Sequence, residues 1–302
     1  MFSRRHPFLF FILVLSSITA CGAIIIASII AIGIKGGDYT CPDITAGEKI
    51  GVVEIKGVIT EAKPFVQTIK RFREDDSIKA IVIRIDSPGG GVAPSQEIFQ
   101  EIRKTVKKKK VVASMGAVAA SGGYYIAAGT NKIVANPGTI TGSIGVIMKF
   151  TNFQKIFEKI GLIPVVVKSC EYKDIGSPVR QMSTSETKIF QDLADGIHSQ
   201  FVSAIAQGRK MEVAKVKALA DGRIFSGEDA KALGLVDRLG NMEDAIEWAG
   251  QLAGIKGKAS AIYIRDKKIP FIKYITETSL KHLMLRLLNP ELITALTLSP
   301  AQ

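Results

Sequence analysis

"KAIVIRIDSPGGG", Lys79 to Gly91, carries an apolar, β-branched run directly into a serine, a proline and three glycines. The run reads as a buried strand, and the turn residues end it at a point where backbone N–H groups can face outward. Working outward, "KIGVVEIKGVI" (Lys49 to Ile59) is a second strand, and "PFVQTIKRFRED" from Pro64 is helical, with proline at a tolerated first-turn position. Downstream, a helix is predicted from Pro94 to about Val106, then the strand "KVVASM" (Lys110 to Met115) and a small-residue helix opening near Ser121. "NKIVAN" (Asn131 to Asn136) and "IPVVVKS" (Ile163 to Ser169) supply further strands, and "TITGSIGVIM" (Thr139 to Met148) reads as a Gly-punctuated loop and strand. Strands alternating with helices predict parallel pairing through crossover helices, hence one α/β domain over about residues 49–255. No long internal repeat is visible.

In such folds ligands bind beyond the carboxyl ends of the strands, where three motifs lie. The glycines of "DSPGGG", Asp86 to Gly91, suit an oxyanion hole, although a flexible turn has the same composition. Neither phosphate-loop pattern, G-x-G-x-x-G or G-x-x-x-x-G-K-[ST], is present. "AASGGYY", Ala119 to Tyr125, sets Ser121 among residues too small to hide its hydroxyl. If Ser121 opens a helix, the Gly122 N–H can face an oxyanion; the bland alternative is a small-residue helix packed on the sheet.

A serine hydroxyl needs a base. The chain has three histidines. His6 precedes the apolar N-terminal run, while His198 and His282 fall in polar or basic helical segments that read as surface. A lysine serves instead when burial lowers its pKa from about 10.4. Lys173, in "CEYKDIGSP", follows the predicted strand 163–169 and is the candidate; Ser143, in "TGSIGV", is a hydroxyl able to hold its amine.

The chain is 47% hydrophobic with mean hydropathy +0.22. Much of this lies between Pro7 and Ile34, which contains no charged residue. At about 1.5 Å per residue that run crosses a hydrocarbon core of roughly 30 Å, and Arg4 and Arg5 before it keep the N-terminus cytoplasmic. A cleaved signal peptide ending near Ser16 to Ala20 and a lipoprotein-type site at "ITAC", ending at Cys21, compete with a permanent anchor. Gly22 to Ile34 stays apolar, which favours the anchor. Cys21, Cys41 and Cys170 form no disulfide framework, a Cys41–Cys170 bridge stays open, and no cluster has metal-ligand spacing. The net charge of +12 is spread along the chain, and "KKKK" at Lys107 to Lys110 lacks interleaved aromatics, so a solvated turn is expected and nucleic acid is not.

"DSPGG", "GAVAASGGYYIA", "TGSIGV" and "YKDIGSP", followed by "ADGRIFSGEDAKALGLVDRLG" (Ala220 to Gly240), together resemble the signal peptide peptidase A family in its short, single-domain bacterial form. The resemblance covers about residues 48–250. It implies a ClpP/crotonase-like α/β fold of repeated β-β-α units carrying an N-terminal transmembrane helix. By the same resemblance Ser121 is the nucleophile, Lys173 the general base and Ser143 its orienting residue. Gly90, or else Gly89, and Gly122 supply the oxyanion N–H groups. No cofactor or metal is implied. Apolar peptides, including remnant signal peptides, are the implied substrates. Such proteins are membrane-anchored with the catalytic domain outside the cytoplasm, and assemble as homo-oligomeric rings in which neighbouring subunits can complete a site. The resulting organisation is an anchor at 1–35, a linker at 36–48, a peptidase domain at 49–255 and a basic amphipathic extension at 256–302. In that extension Leu280, Leu283, Met284, Leu287 and Leu288 keep helical spacing within "TSLKHLMLRLLN" (Thr278 to Asn289), for packing between subunits or on a membrane surface. A stomatin-associated type of membrane protease, a crotonase-like acyl-CoA enzyme and a catalytically silent peptide-binding scaffold are the alternatives.

Overall fold

The computed structural model describes Phe8, Phe11, Ser16, residues 48–257 and residues 259–263 of the 302-residue chain. The chain divides into two compact units, Met1–Gly47 and Glu48–Gln302. Of the first, Phe8, Phe11 and Ser16 are helical. The rest of the expected anchor, His6, Cys21, Cys41, His282 and the Thr278–Asn289 segment lie outside the described residues. Among the described residues no helix is long and apolar enough to cross a membrane.

The second unit begins with strand β1 (Lys49–Lys56), helix α1 (Lys63–Glu74) and strand β2 (Ile78–Ser87). Helix α2 (Val92–Thr105), strand β3 (Lys110–Ala120), helix α3 (Gly122–Ala128) and strand β4 (Lys132–Ala135) follow. Pairing is parallel between β1 and β2, β2 and β3, and β3 and β4, as the alternation of strands and helices predicts. Strand β5 (Ile140–Gly142) is parallel to β3 and antiparallel to β6 (Ile224–Ser226). Between them lie helices α4 (Gln154–Lys159), α5 (Thr184–Arg209) and α6 (Val213–Leu219). Helix α7 (Gly227–Ala232), strand β7 (Arg238–Leu239), helix α8 (Met242–Ala253) and strand β8 (Ser260–Tyr263) complete the unit. The sheet path is β6-β5-β3-β2-β1-β8, with β4 joining β3 to β7. Strand β8 lies past residue 255, where the sequence ends the expected domain, and extends the sheet beyond β1.

Both faces of the sheet are covered, which is why its strands read as continuous apolar runs. Ile81, Ile83 and Ile85 point into a core shared with Ile69, Phe72, Phe99 and Ile126 of α1, α2 and α3. Ala80 and Val82 face the other way, against Ala245, Ile246 and Ala249 of α8. Each fully buried isoleucine or valine contributes about 1.5–3 kcal/mol, so this central layer is rigid ground for whatever its strand ends carry. The lysine run ends as a helix cap: Lys109 Nζ donates to the carbonyls of Phe72 and Asp75, 2.8 and 2.5 Å away, at the end of α1.

Three segments depart from the sequence expectation, the first being "TITGSIGVIM", in which only Ile140–Gly142 is strand and residues 143–148 form none. Strand β3 does not stop at Met115 but continues to Ala120 through a bulge. Residues 163–169, expected as a strand, form none: Ile163, Val165 and Val167 are 85%, 85% and 97% exposed. β-Branched residues favour a pleated surface only where a neighbouring strand provides one, and no described strand pairs here. The segment belongs to an apolar arm, about 147–172, whose exposed side chains include Ile147, Ile156 and Leu162.

Candidate active site

Ser121 is the residue between β3 and α3, with φ 51° and ψ −119°. This backbone conformation is normally left to glycine, and a serine held in it on a sharp strand-to-helix turn is pushed out of both elements. The turn is fixed from both sides: Ser121 N–H donates to the Gly142 carbonyl of β5 at 2.8 Å, and its own carbonyl accepts from Tyr125 N–H at 2.9 Å.

The glycines of the β2–α2 turn pack against it. A Cβ on Gly89 would stand 2.7 Å from Gly122 N and 2.9 Å from Ser121 Cβ. A Cβ on Gly122 would stand 2.5 Å from Ser95 Oγ and 3.3 Å from Gly90 N. Only bare backbone fits between these segments. Gly89 N–H is occupied, donating to the buried Ser87 Oγ at 3.1 Å. Gly90 is bridged to Ile59 through its neighbours: Ile59 N–H donates to the Gly89 carbonyl and Gly91 N–H to the Ile59 carbonyl. That leaves the N–H groups of Gly90 and Gly122 without partners among the described residues, close together beside Ser121. The choice the sequence left between Gly89 and Gly90 thus turns on Ser87.

A cavity of about 450 Å3 opens over this point, lined by Ser121, Gly90, Gly122 and Ser143 and walled by apolar side chains such as Val92 and Phe201. Ser143 also has positive φ, 49°, and its N–H donates to the Arg223 carbonyl at 2.8 Å. Tyr125 lines the cavity as well; burial raises its phenol pKa against the hydrogen bond from Gln96. Among the described residues no histidine, lysine or carboxylate borders the cavity. His198, on α5, is half-buried rather than on the surface and does not line the cavity, although its neighbour Ile197 does.

Lys173 lies elsewhere, exposed in the turns at 171–176. The loop around it is nonetheless tied down. Arg180 Nε donates to Asp174 Oδ2 at 2.8 Å, and its two terminal nitrogens grip both oxygens of Glu186. Lys168 Nζ donates to Asp174 Oδ1 at 2.7 Å. Glu186 also closes a capping box with Ser183 at the start of α5. The Arg180 hydrogen bond, followed by that from Ser183, lowers the Glu186 carboxyl to about 2. Arg180 and then Lys168 hold Asp174 well below the carboxylate range. Arg180, Ser87 and Ser95 are site-shaping residues that nothing in the sequence singles out. Their types are common, and only the three-dimensional partners distinguish them.

The sequence pattern of peptidase family S49 matches residues 103–256, and that of Clp protease matches residues 53–139. A protein of Synechocystis sp. that bears a provisional protease name is 47% identical over 232 residues, covering 76% of this chain and 83% of that protein. The chain belongs to peptidase family S49. It is a serine protease of the signal peptide peptidase A type, with an α/β fold of the ClpP kind. The chloroplastic serine protease SPPA of Arabidopsis thaliana is 37% identical over 74% of this chain, and Protease 4 of Haemophilus influenzae 33% identical over 68%. This S49 chain spans only 34% and 35% of the length of those two relatives.

Proposed function

We propose that this S49 protease is a membrane-anchored endopeptidase in which Ser121 attacks apolar peptides and Lys173 of a neighbouring copy is the general base. The observation that carries the reading is Ser121 on a strained strand-to-helix turn beside two unengaged N–H groups, under an apolar cavity. Ser121 Oγ adds to the scissile carbonyl carbon as Lys173 Nζ takes its proton; Gly90 and Gly122 N–H groups hold the oxyanion. Collapse expels the amine, which receives that proton from Lys173. Water, deprotonated by the now neutral Lys173 Nζ, then adds to the acyl ester, and Ser121 Oγ leaves with the proton that Lys173 returns. Ser143 orients the lysine. No cofactor enters.

Two observations support a base supplied by a second copy. The cavity has no base from its own chain among the described residues, and the apolar arm leaves Ile147, Val165 and Val167 at 91%, 85% and 97% exposure, as a surface that a second copy covers. The uncharged run Pro7–Ile34 supports a single-pass anchor in the bacterial plasma membrane with the catalytic unit outside the cytoplasm, where remnant signal peptides are substrates within reach.

The test is fluorophosphonate labelling of detergent-purified full chain, followed by intact mass. Wild type takes one adduct; Ser121→Ala and Lys173→Ala take none. Mixing the two inactive variants under subunit-exchange conditions restores peptide cleavage if serine and lysine come from different copies. Unaltered labelling of Ser121→Ala rejects the nucleophile, and unaltered labelling of Lys173→Ala rejects the base.

A further inference from the structure

We propose that Asp86 is a positioning residue for Ser121, its carboxylate holding the bulge of β3 that determines where the strand delivers the nucleophile. The inference rests on Ser121 being that nucleophile. Strands β2 and β3 run in parallel register until Ile85 pairs with Met115, and resume with Ser87 opposite Ala119. Between those pairs Asp86 alone stands opposite Gly116, Ala117 and Val118. A ladder broken in this way leaves backbone groups unpaired and has no intrinsic reason to keep one shape.

Side chains supply the missing bonds. Val118 N–H donates to Asp86 Oδ1 at 3.1 Å. Thr139 Oγ1, from the turn before β5, donates to the Gly116 carbonyl at 2.8 Å, and Arg84 donates to the Met115 carbonyl at 3.1 Å. Gly116 makes the arrangement possible: a Cβ there would stand 2.8 Å from Asp86 Cγ and 2.9 Å from Asp86 Cβ. The Asp86 backbone is itself anchored, its carbonyl accepting from Gly57 N–H at 2.9 Å.

The bulge has a direct consequence for the site. Beyond it, Val118, Ala119 and Ala120 pair with Ile140, Thr141 and Gly142 of β5, and the next N–H, that of Ser121, reaches the Gly142 carbonyl. Before it, β3 pairs with β4 instead. The bulge therefore moves the strand from one neighbour to another and sets the height and tilt at which Ser121 leaves it. Asp86 does not line the cavity and enters no ion pair among the described residues. It acts through Val118, by accepting a hydrogen bond, not by charge.

The experiment compares full-length wild type, Asp86→Ala, Asp86→Asn, Thr139→Val and Ser121→Ala in detergent. It measures the rate of fluorophosphonate labelling, kcat and KM for an apolar peptide, and thermal unfolding. Asp86→Ala is expected to slow labelling and lower kcat by about 10- to 100-fold, the scale of a misplacement near 1 Å, with KM little changed because the cavity walls remain. Asp86→Asn keeps an acceptor for Val118 N–H and should recover the labelling rate to within about threefold. A wild-type rate in Asp86→Ala, or an Asn variant as slow as the Ala variant, overturns the proposal. Should Asp86→Ala fail to fold, Thr139→Val removes the brace on Gly116 at nearly constant volume; slow labelling with a near-native unfolding temperature supports the assignment, and a wild-type rate refutes it. Labelling that persists in Ser121→Ala, mapped to another residue, overturns the nucleophile and this inference with it, whereas the Asp86 outcomes are read only on adducts at Ser121.

Discussion

Replacing Gly90 by alanine tests the oxyanion arrangement without touching any side chain of the proposed dyad. The new Cβ would lie 2.2 Å from the Ile59 carbonyl oxygen and 2.5 Å from Ile59 N, both backbone atoms that cannot swing aside. Ordinary contact begins near 3.4 Å, so the turn must retreat by about 1.2 Å (3.4 − 2.2). That retreat carries the Gly90 N–H away from Ser121 and loosens the bridge to Ile59. Loss of one such donor costs about 10²–10³ in kcat, or about 2.7–4 kcal/mol of transition-state stabilisation. The fold suffers less: overpacking costs about 1–3 kcal/mol, and at about 2–4 °C per kcal/mol for a domain of this size the unfolding temperature falls by about 2–12 °C. Steady-state cleavage of an apolar peptide should therefore show kcat reduced by at least about 10²-fold with KM nearly constant, as for a donor used only in the transition state. Gly138→Ala is the control, since nothing lies within 4 Å of its Cβ position. A folded Gly90→Ala protein with wild-type kcat would refute the assignment of Gly90.

Three further outcomes follow from the same geometry. Glu186 and Asp174 both have lowered carboxyl pKa values, so the stability they contribute is complete above the ordinary value near 4.5 and is lost as pH falls through the folded value, about 2 for Glu186. Urea midpoints of the wild type should drop between pH 4.5 and 2, and Arg180→Ala should flatten that slope. Tyr124→Phe removes the hydroxyl that donates to the Leu235 carbonyl at 2.9 Å, in a fully buried place, and should cost about 1–3 kcal/mol in urea unfolding. Val165→Asp with Val167→Asp on the apolar arm should reduce both the sedimenting mass and peptide cleavage while leaving circular dichroism unchanged; a fully active monomer would dismiss the arm as an assembly surface.

Much of the fold is legible because parallel strands buried on both faces leave a strong signature, as in "KAIVIRID". The strand-to-helix turn at Ser121 is legible for a related reason: small residues crowd where backbones approach. The continuation of β3 to Ala120 is not, because it depends on Asp86 and Thr139, which are distant in sequence from the bulge they brace. Residues 163–169 mislead in the opposite sense. Their β-branched composition meets the local requirement for a strand, yet no described strand pairs with them, and side-chain preference cannot report a missing neighbour. Lys173 shares that difficulty: its surroundings are set by Arg180 bridging two carboxylates, a contact that spacing does not reveal. The preference for Gly90 over Gly89 depends on the Ser87 hydroxyl, whose direction only the fold determines.

The backbone at Ser121, φ 51° and ψ −119°, costs of order 1–3 kcal/mol for any residue with a Cβ. Glycine would take the same conformation without penalty. With Ser121 as the proposed nucleophile, improved robustness and lost chemistry coincide at position 121: a Ser121→Gly protein would melt higher than Ser121→Ala while being equally inert. A directed-evolution campaign that screened this enzyme for heat resistance without an activity filter would be drawn toward that substitution, and its best survivors would be its dead ones.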